Sequence, residues 1–362
     1  MPHYTLHILA IATLCLLAAC SSDDPLEPSQ PEQPQQMPIK FANNTMSTVS
    51  ASRATGLEEV GVTDFYVWGY KTKDYDDNTK VYSGLETVMD RYRVQWAPNT
   101  AGTTATNGYD WEYMGITDHG QTQNIKYWDF LASSYRYFGI APCSSDVITY
   151  GMNAAKDEYD ITFKADATDV EHAPYISNLW FDSSYPTYTK YGQTVVMEFM
   201  KPVTKVRIEL YYDNGVLIPN PSAHGITELS FGPSDASAIV QKGTLKVSYP
   251  LQGVITNTQY LPKLTIEGDP MGSVKIDRLG TNYNDWYYVL PHILQGSYQL
   301  ILEQSGKTHI ASVPSEQMSW HPNTEYTYRF KITGSKVQFI DVVQIGVTEW
   351  QYESSQHPIY NW

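Results

Sequence analysis

The sequence predicts an all-β protein built as two β-sandwiches, and three observations carry that prediction. Tyr at 29 and Trp at 9 are high for 362 residues, and Tyr, Thr and Val suit the half-buried face of a pleated sheet. Apolar and polar residues alternate over many short stretches, each ended by Gly, Pro, Asn or Asp. Only Leu85 to Tyr92 reads as a helix, and a short one. Many short strands between turns argue for sandwiches. No repeat of roughly 20–50 residues is visible, which disfavours a propeller or solenoid.

The N-terminal segment bears on location. Ile8 to Ala19 is a run of twelve apolar or small residues broken only by Thr13. It is too short for a permanent membrane span and suits the core of an export signal. It ends in Leu17-Ala18-Ala19-Cys20, a lipobox in which small side chains precede a cysteine that accepts a diacylglycerol before cleavage. Residues 1–20 are therefore expected to be a lipoprotein signal peptide, with Cys20 the lipidated new N-terminus. Met1 to His7 departs from the pattern in having no Lys or Arg. Ser21-Ser22-Asp23-Asp24 reads either as a solvated spacer or as a surface-export tag. Pro25, Pro28, Pro31 and Pro34 then recur every third residue and enforce an extended tether over 21–37.

At about 100–200 residues per domain, the rest is expected to form two, 38–193 and 194–362, with the boundary near Gln193. Ile39 and Phe41 alternate with Lys40 and Ala42 as a short strand. A polar stretch from Asn43 to Ser52 leads to Arg53-Ala54-Thr55-Gly56. Val60 to Tyr70 is a strand, Lys71 to Tyr82 a polar loop, and Pro98 to Gly108 an exposed loop. Further strands fall at Val94 to Trp96, Trp111 to Met114, Ile125 to Leu131, Tyr135 to Ala141 and Ile161 to Phe163, before a long loop through Tyr191. Thr194 to Leu210 is the most regular stretch, with Lys205, Arg207 and Glu209 between apolar residues. Asp213-Asn214-Gly215 tolerates positive φ and signals a hairpin. Strands follow at Leu245 to Tyr249, Lys263 to Ile266, Trp286 to Leu290, Tyr298 to Leu302, Glu325 to Ile332 and Lys336 to Val347.

Charge and motifs narrow the function classes. Net charge is −15, and the 24 Lys and Arg are scattered. A basic face to neutralise phosphates is missing, so nucleic acid is not an expected partner. No Gly-rich phosphate loop, HExxH, GxSxG or CxxC pair occurs, and no catalytic residue, cofactor or metal is expected. Asp74, Asp76 and Asn78 have the spacing of a calcium loop's first ligands without its glycine and later Glu, which makes them a solvated hairpin tip. Cys15 leaves with the signal and Cys20 takes the lipid, so Cys143 is the one free thiol and no disulfide forms. With no basic neighbour expected to lower its pKa, Cys143 reads as a buried small residue. Trp128, Trp286 and Trp320 are expected in a core. Tyr185, Tyr188 and Tyr191, in a polar loop, are expected to be exposed and to be the candidates for stacking on sugar.

Taken in order, several motifs carry a resemblance. After the lipobox, tether and Arg53-Ala54-Thr55-Gly56 come a Trp68-containing strand, Lys126-Tyr127-Trp128 and Tyr137-Phe138-Gly139-Ile140-Ala141-Pro142. Val196-Met197-Glu198-Phe199 with Val203-Thr204-Lys205-Val206, Trp320-His321-Pro322-Asn323 and Val347-Thr348-Glu349-Trp350 follow. The chain resembles the fimbrillin (type V pilin) family over residues 38–350. The resemblance implies two transthyretin-like β-sandwich domains and a non-enzymatic, surface-exposed outer-membrane lipoprotein precursor that is assembled into fimbriae. It also implies a cut after an arginine beyond the first strand, which places processing at Arg53 and Ala54 and removes Pro38 to Asn44. The groove so opened takes a strand from another fimbrial subunit, a reasonable consequence of unpaired backbone groups beside an apolar slot. The alternatives are a permanent first strand with Arg53 an ordinary loop residue, and a glycan-binding surface lipoprotein held by the same lipid. Gln351 to Trp362 is either a donor strand or a packed tail.

Overall fold

The computed structural model describes residues 37–45, 56–79, 81–98, 109–170, 172–182, 191–234, 239–252, 259–260, 263–267, 286–293, 298–334 and 336–345. Cys20, Arg53, Ala54, Tyr185, Tyr188 and residues 351–362 lie outside the described residues. Met1–Met37 and Pro38–Trp362 are separate units, and the strands belong to the second.

Regular structure among the described residues is β throughout, apart from the short 3-10 turns Leu57–Val60, Pro221–His224 and Ser315–Gln317. The all-β expectation is borne out. In chain order the strands are β1 (Phe41–Thr45), the long hairpin β2 (Asp64–Asp76) and β3 (Val81–Pro98), then β4 (Tyr109–Glu112). A small hairpin of β5 (Thr117–Asp118) and β6 (Gln121–Thr122) leads to β7 (Ser134–Ala141), β8 (Val147–Met152) and β9 (Glu158–Asp166). Next come β10 (Tyr175–Ser177), β11 (Leu179–Asp182), β12 (Val195–Met200), β13 (Thr204–Tyr212), β14 (Ile226–Pro233) and β15 (Lys242–Pro250). The set continues with β16 (Gln259–Tyr260), β17 (Lys263–Glu267), β18 (Tyr287–Val289), β19 (His292–Ile293) and β20 (Tyr298–Gln304). It closes with β21 (Lys307–Val313), β22 (Ser319–Trp320), β23 (Thr324–Thr333) and β24 (Lys336–Ile345).

Period-2 patterning assembles these strands into two sheet pairs. The first joins a nine-stranded sheet, β1-β12-β10-β7-β2-β3-β4 with β11 and β16 beside it, to the four-stranded sheet β17-β15-β9-β8. Their shared core holds Trp68, Phe138, Tyr159, Ile161, Leu245 and Tyr249, with the Phe138 and Tyr249 rings stacked at 4.2 Å. The nine-stranded sheet curls until its ends, β1 and β4, approach each other. Its concave face encloses a second apolar cluster that includes Phe41, Phe65, Trp111, Tyr137 and Phe199. The second pair sets β18-β13-β23-β24 against β14-β20-β21, around Leu210, Phe231, Leu300, Trp320 and Tyr328. Tyr326, Tyr328, Phe330 and Ile332 are buried on one face of β23, as their alternation predicts.

The sheets do not divide at residue 193. β12 lies beyond it and completes the nine-stranded sheet, and β15 pairs β9 through Tyr249↔Tyr159. The chain therefore crosses between the sheet pairs after β12, after β14 and between β17 and β18.

Several local expectations are corrected. Leu85 to Tyr92 is not a helix but part of β3, paired to β2 in a register interrupted on either side of Gly69. Strand pairing outweighs a modest local helix preference here, because the β2 face it completes is already buried. Lys71 to Asp76 continues β2, and among the described residues Asp77 to Thr79 form the turn. Ile125 to Leu131 is irregular, touching a strand partner only at the Pro38↔Tyr127 bridge. The expected loop before Tyr191 contains β10 and β11.

Candidate functional site

The feature most able to do something is the resident edge strand β1. It pairs parallel with β12 from Phe41↔Val195 to Thr45↔Phe199 and ends its sheet. Its inward residues are locked away: Ile39 is 0% exposed, Phe41 2% and Asn43 7%. The Phe41 ring meets Phe65, Tyr113 and Tyr137 edge-on, at centroid distances of 6.3, 5.9 and 5.6 Å. Edge-on ring pairs add to what burial of a phenylalanine supplies, about 1.5–3 kcal/mol by area. The slot is shaped from beneath by Gly69, where an added Cβ would fall 2.4 Å from the Tyr137 ring.

Polar ties fix β1 at both ends. The Tyr113 hydroxyl donates to the Ile39 carbonyl at 3.0 Å and accepts from Lys126 N–H at 3.0 Å. Ile39 N–H donates to the Lys126 carbonyl, and Val195 N–H to the Lys40 carbonyl, each at 2.8 Å. Burial raises the Tyr113 and Tyr137 hydroxyls well above the usual tyrosine pKa, so both stay protonated. At the other end Asn43 Oδ1 accepts from Leu57 N–H at 2.8 Å. The expected polar stretch beginning at Asn43 is thus partly strand, and Asn43 is buried rather than solvated. Phe41 was legible as the apolar half of an alternation, whereas nothing local marks Tyr113 or Asn43 as partners of that strand.

The other singled-out residues fall as follows. Asp74 and Asp76 close the β2–β3 hairpin, where Asp76 Oδ1 accepts from Asn78 N–H at 2.8 Å. No group of metal-ligating side chains exists among the described residues. Cys143 is partly buried, and desolvation raises its thiol pKa. Arg93, remote in sequence, is close enough to lower it, which corrects the expectation of no basic neighbour. Trp128 and Trp320 are core residues. Trp286 is instead only half-buried, with the Arg207 guanidinium 4.5 Å over its ring. Tyr191 is buried rather than exposed: its ring stacks on Trp128 at 5.4 Å and its hydroxyl donates to the Ala132 carbonyl at 2.8 Å. That withdraws one of the three residues on which sugar stacking was expected to rest.

Sequence reasoning also passed over Arg136, which is 0% exposed with its guanidinium 4.8 Å from the Phe181 ring. Burial lowers its pKa to about 9.

No family model matches the chain, and no curated protein matches it in sequence. The expected resemblance does meet solved structures of Bacteroidales cell-adhesion and fimbrial proteins across most of the chain. A proposed cell adhesion protein from Bacteroides uniformis matches at 14% identity and TM-score 0.39, over 86% of this chain and 98% of that one. The tip fimbrial protein Mfa3 from Porphyromonas gingivalis matches at 9% identity and TM-score 0.36, over 85% and 99%. A fimbrial assembly protein from Parabacteroides distasonis matches at 10% identity and TM-score 0.37, also over 85% and 99%.

Proposed function

We propose that this chain is a non-catalytic subunit or accessory component of cell-surface fimbriae, joined to other fimbrial subunits by strand exchange at the slot that β1 fills. The observation that supports this most is β1 itself. It is short, paired among the described residues with one strand, β12, and plugs an aromatic pocket. Withdrawing it would bare one edge of β12 together with the Phe65–Tyr113–Tyr137 pocket, which is a template for an incoming strand. Cys20 would carry the lipid that holds the precursor at the outer membrane, and a cut between Arg53 and Ala54 would release β1. The two sheet pairs are read as two transthyretin-like sandwiches founded on 38–193 and 194–362, the second lending β12, β15, β16 and β17 to the first.

Treatment of the purified full-length protein with an arginine-specific protease tests the reading. A new N-terminus at Ala54, found by mass spectrometry or Edman sequencing, should be followed by oligomers. Assembled material that carries only lipidated Cys20 as its N-terminus would overturn release by cleavage.

A further inference from the structure

One residue of β1 is held only by half. Asn43 Oδ1 takes the Leu57 N–H, while its Nδ2 is buried with no hydrogen-bond partner. The amide cannot turn to relieve this, because its oxygen is already fixed by the Leu57 donor. A buried donor without a protein partner opposes the state that buries it. Its other buried groups favour the slot: Ile39 and Phe41 are engulfed, and the Tyr113 hydroxyl bonds the Ile39 carbonyl. The strand is also short, parallel and an edge, each of which limits its hold.

We infer that the slot selects its incoming strand at three register positions, and that Asn43 makes the resident strand the weaker occupant. This rests on the strand-exchange reading given above. The fitting partner is an extended segment of another subunit running in the direction of β1. It carries a branched aliphatic side chain where Ile39 sits, an aromatic ring where Phe41 sits, and at the Asn43 position a side chain that accepts from the Leu57 N–H while burying no amide donor. Asn43 has a second consequence. Its bond to Leu57 spans Arg53, so it ties the two sides of the proposed cut and delays the departure of the strand after cleavage.

The test uses full-length protein nicked after Arg53, and fluorescent nonapeptides with the sequence of residues 37–45, read by anisotropy. A panel replaces the Asn43 position by Leu, Thr or Asp and, separately, the Ile39 or Phe41 position by Ala. The expected result is that at least one Asn43 replacement binds about fivefold or more tightly than the native peptide, while both alanine peptides bind at least tenfold more weakly. A panel in which the Asn peptide is the tightest, or in which all bind alike, overturns the inference. Thermal unfolding of the intact chain reads the same balance without any nick. At least one of Asn43→Leu, Asn43→Thr and Asn43→Asp should raise Tm, and a fall in all three overturns the claim for Asn43. If peptides enter in the expected order and no oligomers form, the fimbrial reading fails and the selectivity of the slot stands.

Discussion

Among the described residues two strand pairs run parallel, and they are built differently. β13 and β23 pair without interruption from Thr204↔Thr324 to Tyr212↔Ile332 in the middle of their sheet, with β18 and β24 outside them. Val206, Ile208 and Leu210 face the core, while Lys205 reaches Glu325 at 2.7 Å on the opposite face. β1 and β12 pair over only Phe41 to Thr45, and among the described residues β1 pairs with no further strand. Parallel pairing is slightly weaker per residue than antiparallel. The two pairs therefore differ in length, in the number of neighbours and in the completeness of the polar ties, which on the strand-exchange reading would make one a frame and the other a plug.

The comparison can be broken most severely at Phe41. Phe41→Ala should shift the local opening of β1 by about 3 kcal/mol, within the range for truncating a buried phenylalanine. Hydrogen exchange should then accelerate along β1 and β12 and stay unchanged in β13 and β23; equal acceleration in both would abolish the distinction. Leu210→Ala, at a residue that is 0% exposed, should cost about 2–4 kcal/mol. Denaturant titration should show that loss as global unfolding, with β1 still docked below the transition.

A smaller effect should come from His321, whose pKa burial lowers from its ordinary value. Its backbone anchors the start of β13 and β23, the Thr204 hydroxyl donating to its carbonyl at 2.7 Å and its N–H donating to the Tyr326 hydroxyl at 3.0 Å. The unfolded chain takes up this proton first, near about pH 6.5, so the contribution is present above that pH and is lost as pH falls toward the folded value. Tm should decline on acidification below neutrality, and His321→Gln should flatten that decline. Least of all, Lys205→Ala should remove about 0.5–1 kcal/mol or less, as expected for a partly exposed ion pair. A larger loss in the double-mutant cycle with Glu325 would make the polar face of β13 a greater part of the frame than its geometry suggests.

How much of this the sequence held depends on whether its partners were local. The alternation in β23 and the Ile39–Phe41 pair were legible because one face of each strand is apolar and the other polar. Leu85, Val88, Met89 and Tyr92 mimic a helical face, since irregular register on either side of Gly69 and a positive φ of 52° at Arg91 break strict alternation in β3. Asn43 read as loop because asparagine is rare inside strands, and only the remote Leu57 N–H explains its place. The pairing of β15 with β9 joins segments about as distant as Tyr249 and Tyr159, and no local pattern reports such a contact.

That last pairing has a mechanical meaning. Because the chain passes between the two sheet pairs three times, a pull that would part them is divided among three lengths of backbone. On one side of the second crossing that pull meets the β15–β9 ladder from Lys242↔Asp166 to Pro250↔Glu158, and on the other the β14–β20 ladder. A chain wired in this way resists tension by its stitching as well as by its core.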